Sequence, residues 1–415
     1  MLRAERRRHE GGSVVDAHDR LSALPDDLLH AIMSRLKAQQ AVQTCVLSTR
    51  WRHLWRAVSC LDVDEQKLGA GRNFRNFVTN LLISHDVALL EEFRVHALMT
   101  ADPWVRYAIG QDDASPCRLK RLHLSYLTNL KLPDLASHIS SRCPALEDVR
   151  LEDCMFLLTS NTKIVSSSLK KLVIHGEYMS YHAHSVAYDG DDESFALTID
   201  APALVSLCLG AEEPDVIVDV AAPHAMPSLV DASIRLCMSI DDDYDLHPHY
   251  RHIPTTSYES GLLAALHNVT SLHLSHFDVL LLSHEDYVKF PVFENLRTLY
   301  MDECDISHDF MGLEPYLRNS RNLQKLTLRR CKVLNYEPTN EVMERIHLYS
   351  ENPVDFKCEQ LRLSEIIYKD GDASVHLLVK VLVGMWKYLP NNKIEFTKVD
   401  NSTCANIYSQ TICTA

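Results

Sequence analysis

The sequence contains no apolar run long enough to cross a membrane. Its most apolar late segment, Leu377 to Leu389, includes Lys380 and Lys387 and is shorter than the roughly 20 residues that a membrane-spanning helix needs. Residues 1–16 also lack the apolar stretch of a secretory signal and carry three successive arginines, Arg6 to Arg8. The sequence therefore predicts a cytoplasmic or nuclear protein, in which the arginines fit either a nuclear import signal or a disordered tail.

Basic charge and closely spaced cysteines are also scarce. The chain has 42 lysine and arginine residues against 56 acidic residues, a formal net charge of −14, which argues against a general attraction to nucleic acid or membrane lipid. None of the 12 cysteines forms a Cys-x-x-Cys pair, the usual spacing for structural zinc or a redox motif. We interpret the cysteines as reduced thiols of an intracellular protein.

Motifs of catalysis are missing as well. The 12 glycines are scattered and form neither a phosphate-binding loop nor a dinucleotide fingerprint, and no nucleophile elbow occurs. Two histidine groups offer metal-ligand side chains, but no companion cysteine or helical spacing fixes a geometry, and solvated loops are the alternative. The sequence therefore predicts no enzyme, no metal site and no cofactor. The two groups are His182 with His184, and His247 with His249 and His252.

A short helical block follows the N-terminal tail. Pro25 suits the first position of a helix, and the two aspartates after it suit the positive end of the helix dipole. Leu28, Ile32 and Leu36 then repeat every four residues, which predicts a helix with an apolar stripe. A second run, Ala41 to Trp55, predicts two further short helices.

Two tryptophans distinguish this block. Three helices within about forty residues bury too little surface to be comfortably stable alone. Trp51 and Trp55 are larger than such a small core can cover. Exposed aromatic side chains in a small helical module commonly mark a protein interface. Packing of both rings against the following domain is the alternative, and the residues alone leave the two open.

The segment from Leu21 to Val58 resembles the F-box, in the form found in large plant families that carry leucine-rich repeats. The resemblance is carried by the Leu24-Pro25 pair and by the run CVLSTRWRHLW from Cys45 to Trp55. It implies that the module docks on a Skp-type adaptor, and through that adaptor on a cullin–RING ubiquitin ligase. The adaptor-binding residues that it implies are Leu24, Pro25, Leu28, Ile32, Leu36, Val46, Leu47 and Trp51.

A pattern of apolar residues spaced three and then two apart recurs along most of the chain. Copies that start at 119, 146 and 169, and again at 269, 296 and 323, lie 23 or 27 residues apart, as in leucine-rich repeats. Because residues two apart in a strand face the same side, each copy predicts one short parallel strand of a curved solenoid. The copies begin at Leu90, Leu119, Leu146, Leu169, Leu204, Val269, Leu296 and Leu323, with weaker ones at Leu229 and Cys358.

Four cysteines support this interpretation. Each lies eight residues after the first apolar residue of a copy, where the repeat consensus has Asn or Cys. A small polar side chain at this position can bond the backbone of the turn that leaves the strand. We therefore expect a structural role for these thiols and not a catalytic one. They are Cys154, Cys237, Cys304 and Cys331.

The fold class predicted from these patterns is α/β: a small three-helix F-box followed by a leucine-rich-repeat solenoid, with parallel strands on the concave face and helices outside. Long insertions near 175–199 and 239–260 are either binding loops or solvated loops. An amphipathic helix from Val375 to Leu389 and a strand from Lys393 to Phe396 close the array. The expected parts are 1–17 (disordered tail), 18–60 (F-box), 61–368 (repeat array) and 369–415 (C-terminal cap).

The resemblance implies a substrate-recognition subunit of an SCF-type (Skp–cullin–F-box) E3 ubiquitin ligase, in which the F-box binds the adaptor and the repeats bind a target protein. The alternative is a non-catalytic interaction scaffold that does not direct ubiquitination. A small-molecule sensor is a third class, although no pocket is marked. Polar strand residues that alternation points outward are candidates for binding a target: Arg121, His123, Lys171, His273, Arg297, Tyr300, Lys325 and Thr327.

Overall fold

The computed structural model describes most of the chain. The three N-terminal arginines, Cys237, both histidine groups, most of the two long insertions and the last residues of the chain lie outside the described residues. The described residues are 24–68, 71–110, 117–158, 160–180, 195–211, 216–219, 226–236, 258–276, 290–304, 306, 313–333, 358–369, 374–384 and 388–399.

Three short helices form the N-terminal block, as the sequence predicts. The Pro25 carbonyl accepts hydrogen bonds from the N–H groups of Leu28 and Leu29 at 3.1 and 3.2 Å. Pro25 is therefore the N-cap, and the first helix begins one residue later than predicted. Leu29 is buried with Trp51 in the core of the block. The helices are α1 (Asp26–Met33), α2 (Ala38–Gln43) and α3 (Trp51–Leu54), with 3₁₀ turns at Thr44–Val46 and Trp55–Ala57.

A parallel sheet of 13 strands runs through the described residues, and its repeat strands follow in chain order. Of the strands below, all but β6, β8 and β10 belong to it. They are β1 (Cys60–Asp64), β2 (Glu92–His96), β3 (Arg121–Ser125), β4 (Leu130–Lys131), β5 (Asp148–Leu158), β6 (Thr162–Val165), β7 (Lys171–Ser180), β8 (Phe195–Asp200), β9 (Ser206–Ala211), β10 (Val216–Asp219), β11 (Asp231–Leu236), β12 (Ser271–Ser275), β13 (Thr298–Asp302), β14 (Lys325–Arg329), β15 (Leu363–Tyr368) and β16 (Lys393–Lys398).

Parallel pairing stacks the apolar residues of successive copies on one another. Leu272, Leu299 and Leu326 lie opposite one another in β12, β13 and β14, and all three are fully buried. Burial of one such side chain contributes roughly 1.5 to 3 kcal/mol, so the stacked leucines are a main source of the array's stability. The predicted α/β fold class, a small helical block followed by a repeat solenoid, is confirmed.

Strands replace the predicted outer helices in the middle of the array. Between β5 and β11 the connecting segments carry β6, β8 and β10, which form a separate three-stranded parallel sheet. Both Thr162–Val165 and Phe195–Asp200 contain β-branched side chains, and burial alternates along Thr162–Val165, which suits strands. The other helices within the described residues are α4 (Glu65–Leu68), α5 (Arg72–Ser84), α6 (Asp102–Ile109), α7 (Leu132–Arg142), α8 (Tyr258–Ala265), α9 (Glu314–Arg318) and α10 (Ser374–Gly384).

The pairing of the last repeats corrects one predicted copy. The sequence pattern places a copy at Cys358, but Leu363 of β15 pairs with Lys325 of β14, which is the third residue of its own copy. The copy on β15 therefore begins at Leu361, three residues later than predicted. Its second apolar position is taken by Ser364, which is fully buried and hydrogen-bonded, and this polar residue broke the apolar pattern.

Strands also lie at both ends of the array. At the start, Val58, Leu61 and Val63 repeat the three-then-two spacing, are buried and place β1 beside β2. This copy was missed because it overlaps the segment that resembles the F-box. At the end, the predicted strand after Lys393 is confirmed as β16, which pairs with β15. Within the described residues, the helix predicted before it is confirmed as α10.

The predicted structural role of the repeat cysteines is confirmed for the three that the structure describes. Cys154, Cys304 and Cys331 are fully buried. The thiol of Cys154 donates to the Leu124 carbonyl at 3.5 Å, and that of Cys304 donates to the Leu274 carbonyl at 3.4 Å. Because each acceptor lies one repeat earlier, the cysteines join neighbouring repeats by hydrogen bonds.

Candidate functional site

The helical block exposes several large apolar side chains. Leu28 and Ile32 of α1 are 52% and 41% exposed, and they share one helix face because they are four residues apart. Val46 and Leu47, after α2, are 82% and 59% exposed, and Pro25 is exposed as well. We call these five residues the docking surface. Apolar exposure of this extent on so small a unit indicates a surface that a partner covers.

The other three residues of the predicted adaptor-binding set lie deeper. Leu24 and Leu36 are half-buried and pack against the core. Trp51 is only 4% exposed, because it begins α3 and packs, together with Leu54, in the core that α3 shares with α1. In the free chain Trp51 is therefore a packing residue that supports the docking surface. Trp55 is half-buried, with the Arg56 guanidinium carbon 5.8 Å from its ring centroid.

Arg50 holds the start of α1 against α3. Its guanidinium group donates to the Leu24 carbonyl at 2.7 Å and, through Nε, to Asp26 Oδ1 at 3.0 Å. These bonds fix the backbone on either side of Pro25, which lies on the docking surface. The sequence contained Arg50 within the F-box-like motif, but only the structure gives it this positioning role.

Lys37 joins the helical block to the first strand of the array. Its Nζ lies 2.8 Å from Asp62 Oδ1 and 3.4 Å from Asp64 Oδ2, both on β1. Burial alone would lower the pKa of Lys37, but the hydrogen bonds and charges of the two aspartates outweigh it and raise the pKa above its usual value. The Nε2–H of His85 donates to the Val58 carbonyl at 2.8 Å at the same junction. The block is thus fixed to the sheet by polar contacts as well as by a shared core.

The side chains of the 13-stranded sheet that point away from the leucine core form what we call the open face. On β2, β3 and β5, charged side chains of this face form ion pairs with one another. Glu92 accepts from Arg94 at 2.6 Å and from Arg121 at 3.0 Å, while Asp148 bonds Arg150 at 3.1 Å and lies 3.4 Å from His123. Burial alone would raise the pKa of Asp148, but its His123 and Arg150 partners lower it to about 2.

Polar side chains also line the carboxyl ends of the strands. Five residues there have left-handed backbone, a conformation that costs a non-glycine residue roughly 1–2 kcal/mol: Tyr126, Asp153, His276, Glu303 and Arg330. Each of the five is the eighth residue of its copy, counted from the first apolar residue. Four of them directly follow the last residue of a parallel strand, and Asp153 has the same position in the copy on β5, so the five lie along one edge of the sheet, which we call the carboxyl edge.

Two hydrogen-bonded groups of imidazole and charged side chains occupy the carboxyl edge. His175 Nδ1 lies 3.0 Å from Asp153 Oδ1, and its Nε2 lies 3.3 Å from Arg235, so one imidazole bridges two charged residues. Gly210 lies beneath it, where a Cβ atom would come within 2.5 Å of the ring. In the other group Glu303 lies 2.7 Å from His276 and 2.6 Å from Arg330. The hydrogen bond from His276 lowers the pKa of Glu303 to about 2, with the charge of Arg330 contributing.

The predicted target-binding candidates differ in how far they are exposed to solvent. His273 and Tyr300 lie side by side on the open face with ring centroids 4.4 Å apart, and burial, followed by the charge of Arg329, lowers the pKa of His273 to about 4. Thr327 is buried on that face, and Arg297 precedes its strand and is exposed. The remaining candidates are strand residues at least partly open to solvent: Arg121, His123, Lys171 and Lys325.

Within the described ranges, no helix combines the length and the apolar character that crossing a membrane requires. Among the same residues, no group of three or more His, Cys, Asp and Glu side chains is arranged to hold a metal ion.

The fold is a small helical module with an exposed apolar surface, joined to a repeat solenoid, and comparison with known proteins gives the module its name. Residues 21–62 match the F-box domain family. The meiotic F-box protein MOF of rice (Oryza sativa subsp. japonica) is 28% identical, over 93% of this chain and 87% of the relative. Two F-box/FBD/LRR-repeat proteins of Arabidopsis thaliana are 27% and 26% identical, over 86% and 75% of this chain and 85% and 78% of their own lengths. The chain carries an F-box domain, and its resemblance to plant F-box/leucine-rich-repeat proteins is confirmed.

Proposed function

We propose that this protein is the substrate-recognition subunit of an SCF-type E3 ubiquitin ligase. The F-box docks on a Skp-type adaptor, and the repeat array binds a target protein. The chain itself supplies binding, and the partners supply the catalysis. The observation that carries the proposal is the docking surface, because it presents exposed apolar side chains within a matched F-box domain.

The physical argument for docking is the cost of leaving that surface in water. Burial of each exposed leucine or isoleucine on a partner contributes up to roughly 1.5 to 3 kcal/mol. Arg50 already fixes the chain beside Pro25, so little conformational freedom is lost when the surface is covered. We expect Leu28, Ile32 and Leu47 to contribute most of the binding energy, with Trp51 acting from within the block.

The argument for target binding rests on rigidity. Lys37 and the shared core hold the F-box at a fixed position on β1. A target that binds the array is therefore held at a set distance from the ligase, where proximity raises the effective concentration of its lysines. A scaffold that does not direct ubiquitination needs no such fixed distance.

The test is co-purification with a Skp-type adaptor. We expect the wild-type protein to retain the adaptor and two variants to lose it: Leu24→Ala with Pro25→Ala, and Leu28→Arg with Leu47→Arg. The arginine variant is the sharper of the two, because both leucines are more than half exposed and neither belongs to the buried core. Leu98→Arg is the matched control, since Leu98 is 74% exposed but lies outside the F-box.

Two outcomes would contradict the proposal. Absence of the adaptor from the wild-type purification would remove the ligase role altogether. Equal retention by the wild type, the arginine variant and the control would show that binding does not use the docking surface. Retention of the adaptor without ubiquitination of any bound protein would instead favour the scaffold.

A further inference from the structure

Two cysteines outside the repeat ladder lie side by side. The Sγ atoms of Cys117 and Cys143 are 3.8 Å apart. Cys143 directly follows α7, and Cys117 lies four residues before β3, so the pair connects the segments that precede two successive repeat strands. A disulfide has an S–S length of about 2.05 Å, so an approach of about 1.8 Å would bring the sulfurs to bonding distance.

The two thiols have different environments. Cys117 is half-buried, whereas Cys143 is only 2% exposed. The pKa of Cys117 is lowered to about 7, because hydrogen bonds from Cys143 and from the Leu119 N–H stabilise the thiolate more than burial opposes it. Donation to Cys117, together with burial, raises the pKa of Cys143. Since the thiolate is the nucleophile, Cys117 is the residue prepared to attack.

Other described cysteines lack this combination. Cys304 and Cys331 also interact with each other, but both are fully buried, and burial raises the pKa of Cys331 well above its usual value. Burial likewise raises the pKa of Cys154 to about 12 and that of Cys208 to about 11. The raised pKa values keep Cys154, Cys208 and Cys331 protonated at neutral pH. All four side chains are buried away from a dissolved oxidant, so these thiols are unreactive.

We propose that Cys117 and Cys143 form a covalent modification site at which hydrogen peroxide converts the two thiols into an intramolecular disulfide. The Cys117 thiolate attacks one peroxide oxygen, the O–O bond breaks, and hydroxide leaves while Cys117 becomes a sulfenic acid. Cys143 then loses its proton to the hydroxide and attacks the Cys117 sulfur. The S–S bond forms as the sulfenic oxygen leaves and, on protonation, becomes water. Two electrons pass from the thiols to the peroxide, which ends as two water molecules.

The disulfide closes a 26-residue span that includes β3 and α7. A covalent link over such a span restricts the unfolded chain and therefore favours the folded state. We expect the oxidised protein to have a higher melting temperature than the reduced protein. The effect is independent of the adaptor and target proposals, because neither sulfur lies on the docking surface or among the target-binding candidates.

The experiment uses the full chain. The protein is treated with one equivalent of hydrogen peroxide at neutral pH, free thiols are blocked with N-ethylmaleimide, and non-reducing peptide mapping follows. We expect a linked peptide pair containing Cys117 and Cys143 to form before any other cross-link. Cys117→Ser and Cys143→Ser should each abolish it. Cys45→Ser is the control, because Cys45 is also half-buried but lies in the F-box, and the linked pair should persist in it.

A second measurement does not depend on variants that could fold poorly. Iodoacetamide labelling of Cys117 in the wild-type protein should rise with pH around a midpoint near 7, as the thiolate forms. Two results would overturn the proposal. One is a Cys117 sulfinic acid with Cys143 still alkylated by the maleimide. The other is a dominant cross-link between any two other cysteines.

Discussion

At the scale of single residues, the repeat cysteines act as hydrogen-bond donors in the core. We expect Cys331→Ala to reduce the free energy of unfolding by about 1 to 3 kcal/mol, because the carbonyls of Met301 and Arg329 lose their thiol donor. Cys331→Ser should cost less, since the hydroxyl retains a donor of similar size. Urea unfolding of both variants measures the difference. Equal destabilisation by Ala and Ser would show that the thiol contributes packing alone.

Glu303 links the stability of the array to pH. Its folded-state pKa, about 2, lies below the ordinary value of 4.5, so its contribution is complete above pH 4.5 and is lost as pH falls towards 2. We expect Glu303→Gln to be less stable at pH 7 by on the order of 1 kcal/mol and to lose less stability than the wild type between pH 5 and pH 3. Urea midpoints across this range give the comparison. Parallel pH profiles for the two proteins would exclude the His276 and Arg330 interactions as the cause.

At the scale of elements, the sequence predicted the regular strands well because buried leucines at fixed spacing are a physical requirement of a stacked array. The prediction was wrong where a hydrogen-bonded polar residue takes the place of a buried apolar one. Ser364 is buried through a hydrogen bond to Asn392, which no apolar pattern detects, and so the copy on β15 was misplaced by three residues. The middle connections failed differently: β6 is only four residues long, so it gave too little periodicity to distinguish strand from helix.

Lys37 sets the orientation of one element against another. We expect Lys37→Met to leave adaptor binding unchanged, because Lys37 does not belong to the docking surface. Hydrogen exchange of the backbone in α2 and β1 should become faster, since the bonds to Asp62 and Asp64 are lost. Lys120→Met is the control, because Lys120 pairs with Glu91 on the surface of the array. The same exchange rate in both variants would show that the shared core alone fixes the block.

At the scale of the whole molecule, the sequence predicted the F-box itself, but not the surroundings of the target-binding candidates. The docking surface depends on local helix positions, which a short motif determines. On the open face, side chains from different repeats neutralise one another: Arg121 pairs with Glu92, and His123 approaches Asp148, each one strand away. The alternation of buried and exposed residues along a strand predicts that these residues point outward. Their oppositely charged partners lie on neighbouring strands, so only the register of the sheet identifies them.

Because charged side chains on the open face are already paired, we expect His273 and Tyr300 to contribute most to target binding. Their rings contact each other on the open face, and the low pKa of His273 keeps it uncharged at neutral pH, so the pair offers aromatic surface with little charge to desolvate. We expect His273→Ala with Tyr300→Ala to weaken target binding by about 2 kcal/mol, roughly 30-fold, and to leave adaptor binding intact. Lys170→Ala is the control, since Lys170 pairs with Glu147 just before its strand.

The measurement is quantitative capture from plant extract by the full chain, comparing the proteins retained by each variant in the presence of added adaptor. A target lost from the His273 and Tyr300 variant, but kept by the control and by the Leu28→Arg with Leu47→Arg variant, would separate the two binding functions on one chain. Only the wild type and the Lys170→Ala control should then support ubiquitination of that target. If the aromatic variant retains every protein that the wild type retains, target recognition lies elsewhere on the array.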